Sequence, residues 1–125
     1  MFSKYYIPFV VWALLILLII AVPGAYIPKP HGIWEIISPD KIIHLAMFTP
    51  LSYLSSWGVY KESGHWNLSI IFAVVFGIIY AIGTELLQYF VISGRNGNIY
   101  DAIADIVGVF IGIIVFKSLQ NKTVY

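Results

Sequence analysis

The chain has no cysteine, few charges and no run of like charge. Without cysteine there is no disulfide, no thiolate nucleophile and no sulfur-ligated metal. Charged residues fill 10% of the 125 positions, against roughly 25% in water-soluble domains. That deficit removes the polar surface a soluble protein of this size needs. A net charge of +1, with no basic cluster, excludes nucleic acid as a partner. The HExxH, GxSxG and glycine-rich phosphate-loop patterns of common hydrolases and nucleotide enzymes are also missing. No repeat, low-complexity tract or composition shift divides the chain, so residues 1–125 read as one domain.

What is present is apolar: 60% hydrophobic residues, 17% of the chain aromatic. Four apolar segments run from about Tyr6 to Val22, Ile42 to Tyr60, Ser69 to Ile92 and Asp101 to Phe116. A bilayer core needs about 20 helical residues, with a range of about 17–25. The second and third segments fit well, whereas the first and fourth need interfacial residues to complete a span. Backbone polar groups must be paired in lipid, and the alternation of barrel strands is absent, so the segments read as helices. The expected fold is all-α, an integral membrane bundle of four transmembrane helices in up-down order. The first segment also has the outline of a signal peptide, with Lys4 ahead of it and Val22-Pro23-Gly24 behind. Its apolar stretch is long for that role, which favours a retained helix.

Between the segments, residues 24–41 hold Pro28, Pro30, Pro39 and an apolar piece, GIWEII, with Trp34 as an interfacial anchor. Residues 61–67 and 93–100 read as turns rich in glycine, serine and asparagine. Four spans put both termini and the 61–67 turn on one side, with Lys4, Lys61, Lys117 and Lys122. Lys29, Lys41 and Arg95 fall on the other. This slight excess of positive charge favours cytoplasmic termini.

The same topology gathers the polar residues at one face. Asp40, Lys41 and His44 open the second helix there, Glu85 and Gln88 close the third, and Asp101 and Asp105 open the fourth. Arg95 lies in the turn between the last two. Helical spacing places Gly77, Ala81, Thr84, Glu85 and Gln88 on one stripe, and Asp101, Asp105, Gly108 and Gly112 on another. His44, Ser52 and Ser55 project together from the second helix, which Pro50 is expected to bend. The glycine pair at 108 and 112 permits close helix approach. Taken alone, His44 reads as an interfacial residue and Asp101 as a helix cap. Glu85, some seven residues inside its apolar run, is expensive in a membrane and therefore a functional candidate. Paired carboxylates beside a histidine suit acid–base chemistry or a hard divalent cation. Arg95 and Lys41 suit a phosphate or carboxylate headgroup.

The pieces SPDKIIHLAMFTPL, TELLQYFVISGR and RNGNIYDAIADIVGVFIG resemble the VanZ-like family of small bacterial membrane proteins. They carry D-K-x-x-H-x-x-x-F as Asp40, Lys41, His44 and Phe48, and E-x-x-Q as Glu85 and Gln88. Arg95, Asp101, Gly108 and Gly112 follow at the family's spacing. The resemblance spans about Asp40 to Phe116, and the first helix fits the family's layout. Two positions depart from the usual pattern: Asp105 stands where asparagine is usual, and Asn98 where aspartate is frequent. The resemblance implies a four-helix protein of the bacterial cytoplasmic membrane. Its founding member is associated with resistance to the glycopeptide teicoplanin.

The leading expectation is an envelope protein whose polar pocket binds a lipid-linked or cell-wall-derived ligand. Asp40, Lys41, His44, Glu85, Gln88, Arg95, Asp101 and Asp105 line that pocket. Glu85 and His44 make polar or acid–base contacts, Arg95 and Lys41 meet an anionic group, and Asp101 orients His44 or Arg95. This reading assigns no metal and names no cofactor. Its partners are membrane lipids and a lipid-linked or glycopeptide ligand, and a homo-oligomer is compatible with it. Two alternatives stand beside it: an intramembrane metal-assisted hydrolase with Glu85, Asp101 and His44 as ligands, and a structural assembly factor.

Overall fold

The computed structural model describes residues 2–23, 32, 39–92, 94 and 99–122. These form four helices: α1 (Ile7–Ile20), α2 (Pro39–Ser63), α3 (Trp66–Phe90) and α4 (Ile99–Lys122). A single 3-10 turn, Lys4–Tyr6, leads into α1. No strand occurs among the described residues. The expected interfacial piece around Trp34 and the charges of Lys29 and Arg95 lie outside the described residues.

Local sequence explains the helix limits. Pro39 opens α2, where a fixed φ is favourable and the missing N–H is not needed, and Asp40 complements the positive helix end. At its other end, Gly64 adopts φ +69° and donates its N–H to the Tyr60 carbonyl at 2.8 Å. That left-handed cap lets α3 begin after a two-residue turn, shorter than the 61–67 segment expected from composition. Pro50 sits inside a continuous α2 and removes one backbone donor from the ladder. Nearby, the Trp12 indole N–H donates to the Met47 carbonyl at 2.8 Å, and Thr49 Oγ1 to the Leu45 carbonyl at 2.8 Å.

Contacts between the helices establish an up-down-up-down order. Along α2 and α3 the pairs run Phe48 with Tyr80 and Tyr60 with Trp66, hence antiparallel. Along α2 and α4 they run His44 with Asp105 and Tyr53 with Phe116, hence parallel. Phe9 packs on Phe72 and Phe76, and the Tyr80 hydroxyl donates to the Ala13 carbonyl, so α1 runs beside α3 in the same direction. The most extensive helix pair is α2 with α4.

Glycines set that approach. A Cβ on Gly108 would lie 2.9 Å from the Leu45 carbonyl oxygen, and one on Gly112 would overlap the Thr49 carbonyl and Ser52 Oγ. The small-residue stripe of α4 thus lies directly on the α2 backbone, as glycine spacing permits. Ser52 Oγ then donates across the gap to the Val109 carbonyl at 2.7 Å.

Burial is inverted relative to a soluble bundle. Among the described residues, ten that are polar or charged are buried, including four serines, His44, Glu85, Asp101 and Asp105. Meanwhile Leu18, Ile79, Phe90 and Ile114 are each more than 60% exposed. Soluble proteins bury aliphatic side chains and expose charges. Two helices, α3 and α4, are long and apolar enough to cross a membrane. The expectation from composition ranked α2 with α3 and took the fourth segment as short. In fact α4 extends to Lys122. By contrast α2, at 25 residues, has the length but carries Asp40, Lys41, His44 and several serines.

Candidate functional site

The up-down order puts the start of α2, the end of α3 and the start of α4 at one end of the bundle. There the His44 imidazole is almost wholly enclosed, 1% exposed. Four carboxylates from three helices surround it. Asp105 Oδ1 lies 2.8 Å from Nδ1, and Glu85 Oε1 lies 3.8 Å from the same nitrogen. On the opposite edge, Asp40 Oδ1 and Asp101 Oδ2 are each 3.9 Å from Nε2.

Each position follows from helix register. Asp40 and His44 are one turn apart on α2, and Asp101 and Asp105 one turn apart on α4, so each pair shares a face. The Gly108 contact comes one turn after Asp105 and brings that carboxylate within bonding range of the ring. Glu85 reaches the group from the small-residue stripe of α3, where Gly77, Ala81, Thr84 and Gln88 are also buried. A Cβ on Gly77 would lie 2.6 Å from Val109 Cγ2, so α3 is seated on α4 as closely as its glycine allows.

Of the residues singled out in the sequence, His44, Glu85, Asp101 and Asp105 therefore converge at one imidazole, with Asp40 at the rim. Asp105 is fully enclosed, Gln88 is 2% exposed and the Asp40 side chain is 42% exposed. Lys41 is placed differently: its ammonium lies 5.9 Å from the centre of the Tyr100 ring, a cation–π arrangement. Tyr100 had no part in the sequence reading, although its place beside Asp101 marks it as a rim residue. Arg95 lies outside the described residues. Asp101 was expected to orient His44 or Arg95; the hydrogen bond of His44 is shared with Asp105, the position that departs from the usual asparagine, and Arg95 is not described.

With Asp105 ionised, the 2.8 Å contact assigns the proton to Nδ1, the tautomer in which this bond holds the ring in place. Gln88 Nε2, Asp101 Oδ1 and Asp105 Oδ2 are buried without a hydrogen-bond partner among the described residues. Glu85 and Asp101 face different ring nitrogens, so the ligand trio Glu85, Asp101 and His44 does not form one compact set. Two other trios do, Asp40 with His44 and Asp101, and His44 with Glu85 and Asp105, each with ligand atoms within 4.8 Å of one another.

Among the described residues the chain is a small all-α bundle that encloses an acid–histidine cluster at one end and carries two helices long and apolar enough to cross a membrane. The chain belongs to the VanZ/LLP1 family, whose model matches residues 5–120. No match was found among curated proteins or among solved structures.

Proposed function

We propose that this VanZ-family protein is a multi-pass protein of the bacterial cytoplasmic membrane, with cytoplasmic termini, whose acid–histidine pocket binds the polar head of a lipid-linked or cell-wall-derived ligand. The observation that carries the reading is the enclosure of His44 by four carboxylates beneath an exterior of exposed aliphatic side chains. Ionisable groups are expensive inside a membrane and are retained there for a task. The α3 and α4 helices span the bilayer, α2 spans it with its polar stripe turned to its neighbours, and α1 completes the bundle with its flanking turn. The pocket then lies near the outer face, where envelope precursors and glycopeptides are met. A resistance role like that of the founding member follows if the bound ligand is the glycopeptide's own target.

The test compares wild type with Glu85→Gln. Native mass spectrometry of the detergent-purified proteins, incubated with an envelope lipid extract, should show a lipid-linked species retained by wild type and lost from the variant. Identical lipid profiles at equal protein abundance would reject the binding reading. Expression in a glycopeptide-sensitive host, with membrane abundance checked by immunoblot, tests the resistance role separately: unchanged teicoplanin susceptibility removes it.

A further inference from the structure

The two edges of the His44 ring are not equivalent. In the tautomer that donates Nδ1–H to Asp105 Oδ1 at 2.8 Å, the Nε2 lone pair faces Asp40 Oδ1 and Asp101 Oδ2, each at 3.9 Å. Three acceptors thus converge on one point. A proton on Nε2 would not join them, because 3.9 Å is beyond hydrogen-bond range for either oxygen. Asp101 is 5% exposed, and its Oδ1 has no hydrogen-bond partner among the described residues. The nearest lysine on α2, Lys41, is directed over the Tyr100 ring. Asp40 also lies within hydrogen-bond reach of Asp101, and two carboxylates so close are costly unless a shared proton or a cation joins them.

We infer that Asp40, His44 Nε2 and Asp101 form a divalent-cation site, with Asp105 as the positioning residue that fixes the imidazole. Metal-bound histidines regularly donate their other ring N–H to a carboxylate, which is the role Asp105 fills. In this tautomer the second compact trio has no nitrogen lone pair to offer, because Nδ1 carries the proton shared with Asp105. Ligand atoms about 2.1 Å from a tetrahedral ion stand about 3.4 Å apart. Each 3.9 Å edge therefore has to close by about half an ångström. The half-exposed Asp40 side chain has the freedom to close its own edge, and the enclosed Asp101 has to close the other. One imidazole and two carboxylates select a borderline ion such as Zn²⁺ or Mn²⁺ over soft, thiolate-seeking metals. The ion's remaining positions face the rim beside Asp40. There a phosphate or carboxylate of the bound ligand would meet a cation instead of a wall of acids. This last step rests on the binding reading above, whereas the ion site does not.

The experiment uses tag-free, full-length protein in detergent, stripped with EDTA and dialysed, with no lipid added. Mn²⁺ titration followed by electron paramagnetic resonance should show one saturable ion per chain, displaced by Zn²⁺. Asp40→Asn, at the rim where folding is least at risk, should weaken Mn²⁺ at least tenfold, and Glu62→Gln, exposed near the far end of α2, should not. Asp105→Asn keeps an acceptor for Nδ1 and should weaken the ion about tenfold at an unchanged melting temperature. Absence of saturable Mn²⁺ binding to wild type, or binding unaffected by Asp40→Asn, overturns the inference. Adding the lipid extract with and without EDTA separates the two ideas. Stoichiometric Mn²⁺ with no lipid retained removes the binding reading and leaves the ion site. Lipid retained equally in EDTA, with no saturable Mn²⁺, does the reverse.

Discussion

Replacing Gly112 with alanine should disrupt both the bundle and its polar site, and Gly83 provides the matched control. At Gly112 the added methyl would overlap the Thr49 carbonyl and Ser52 Oγ, with the Tyr53 nitrogen 3.0 Å away. The Thr49 carbonyl belongs to the α2 backbone and has no rotamer to escape into, so α4 must retreat. Overpacking of this kind costs about 1–3 kcal/mol. The Ser52 bond to the Val109 carbonyl, 2.7 Å long, is stretched by the same retreat and contributes roughly 0.6 kcal/mol in a membrane setting. Gly83 lies in α3 with nothing within 4 Å of its would-be Cβ. There alanine removes backbone entropy from the unfolded chain and stabilises by about 0.5–1 kcal/mol. The two variants should therefore differ by about 2–4 kcal/mol, read from reversible unfolding in mixed detergent with increasing dodecyl sulfate. The damage extends to the site. Asp105 is seven residues before Gly112, and a local shift of about 0.7 Å carries its 2.8 Å bond to His44 past the 3.5 Å limit. If Gly112→Ala unfolds no earlier than Gly83→Ala, the close α2–α4 contact is wrong, and the reasoning built on it fails.

Other perturbations isolate single contacts. Gly108→Ala, which meets the Leu45 carbonyl at 2.9 Å, should destabilise less than Gly112→Ala in the same assay, because a retreat of about half an ångström relieves it. Trp12→Phe strips the indole donor from the Met47 carbonyl beside Pro50. It should cost about 1 kcal/mol and speed amide exchange in the middle of α2, measured by hydrogen–deuterium exchange. Asp105→Leu leaves the His44 N–H enclosed with no acceptor, and should cost about 3 kcal/mol or more. The asparagine variant at that position should lose far less, so equal melting temperatures for the leucine and wild-type proteins would contradict the assigned bond.

Much of this protein could be read from residue order alone. The four apolar segments, with none of the alternation of barrel strands, point to four helices. Spacing by threes and fours placed Gly77, Ala81, Thr84, Glu85 and Gln88 on one stripe and Asp101, Asp105, Gly108 and Gly112 on another, and both stripes are buried. Helix ends were less legible. The α4 helix runs on through polar residues to Lys122, because backbone bonding continues after the apolar run ends. What needed tertiary structure was the pairing of individual atoms across helices. Order alone cannot say that Asp105 rather than Asp101 meets Nδ1. That depends on how far α4 sinks onto the Leu45 and Thr49 carbonyls, a distance set by two missing methyl groups. Nor could it show that Glu85 and Asp101 address opposite edges of one ring, which splits a single acidic cluster into two chemically different halves. Periodicity assigns a residue to a face, and only the packed depth of one helix against another assigns it a partner.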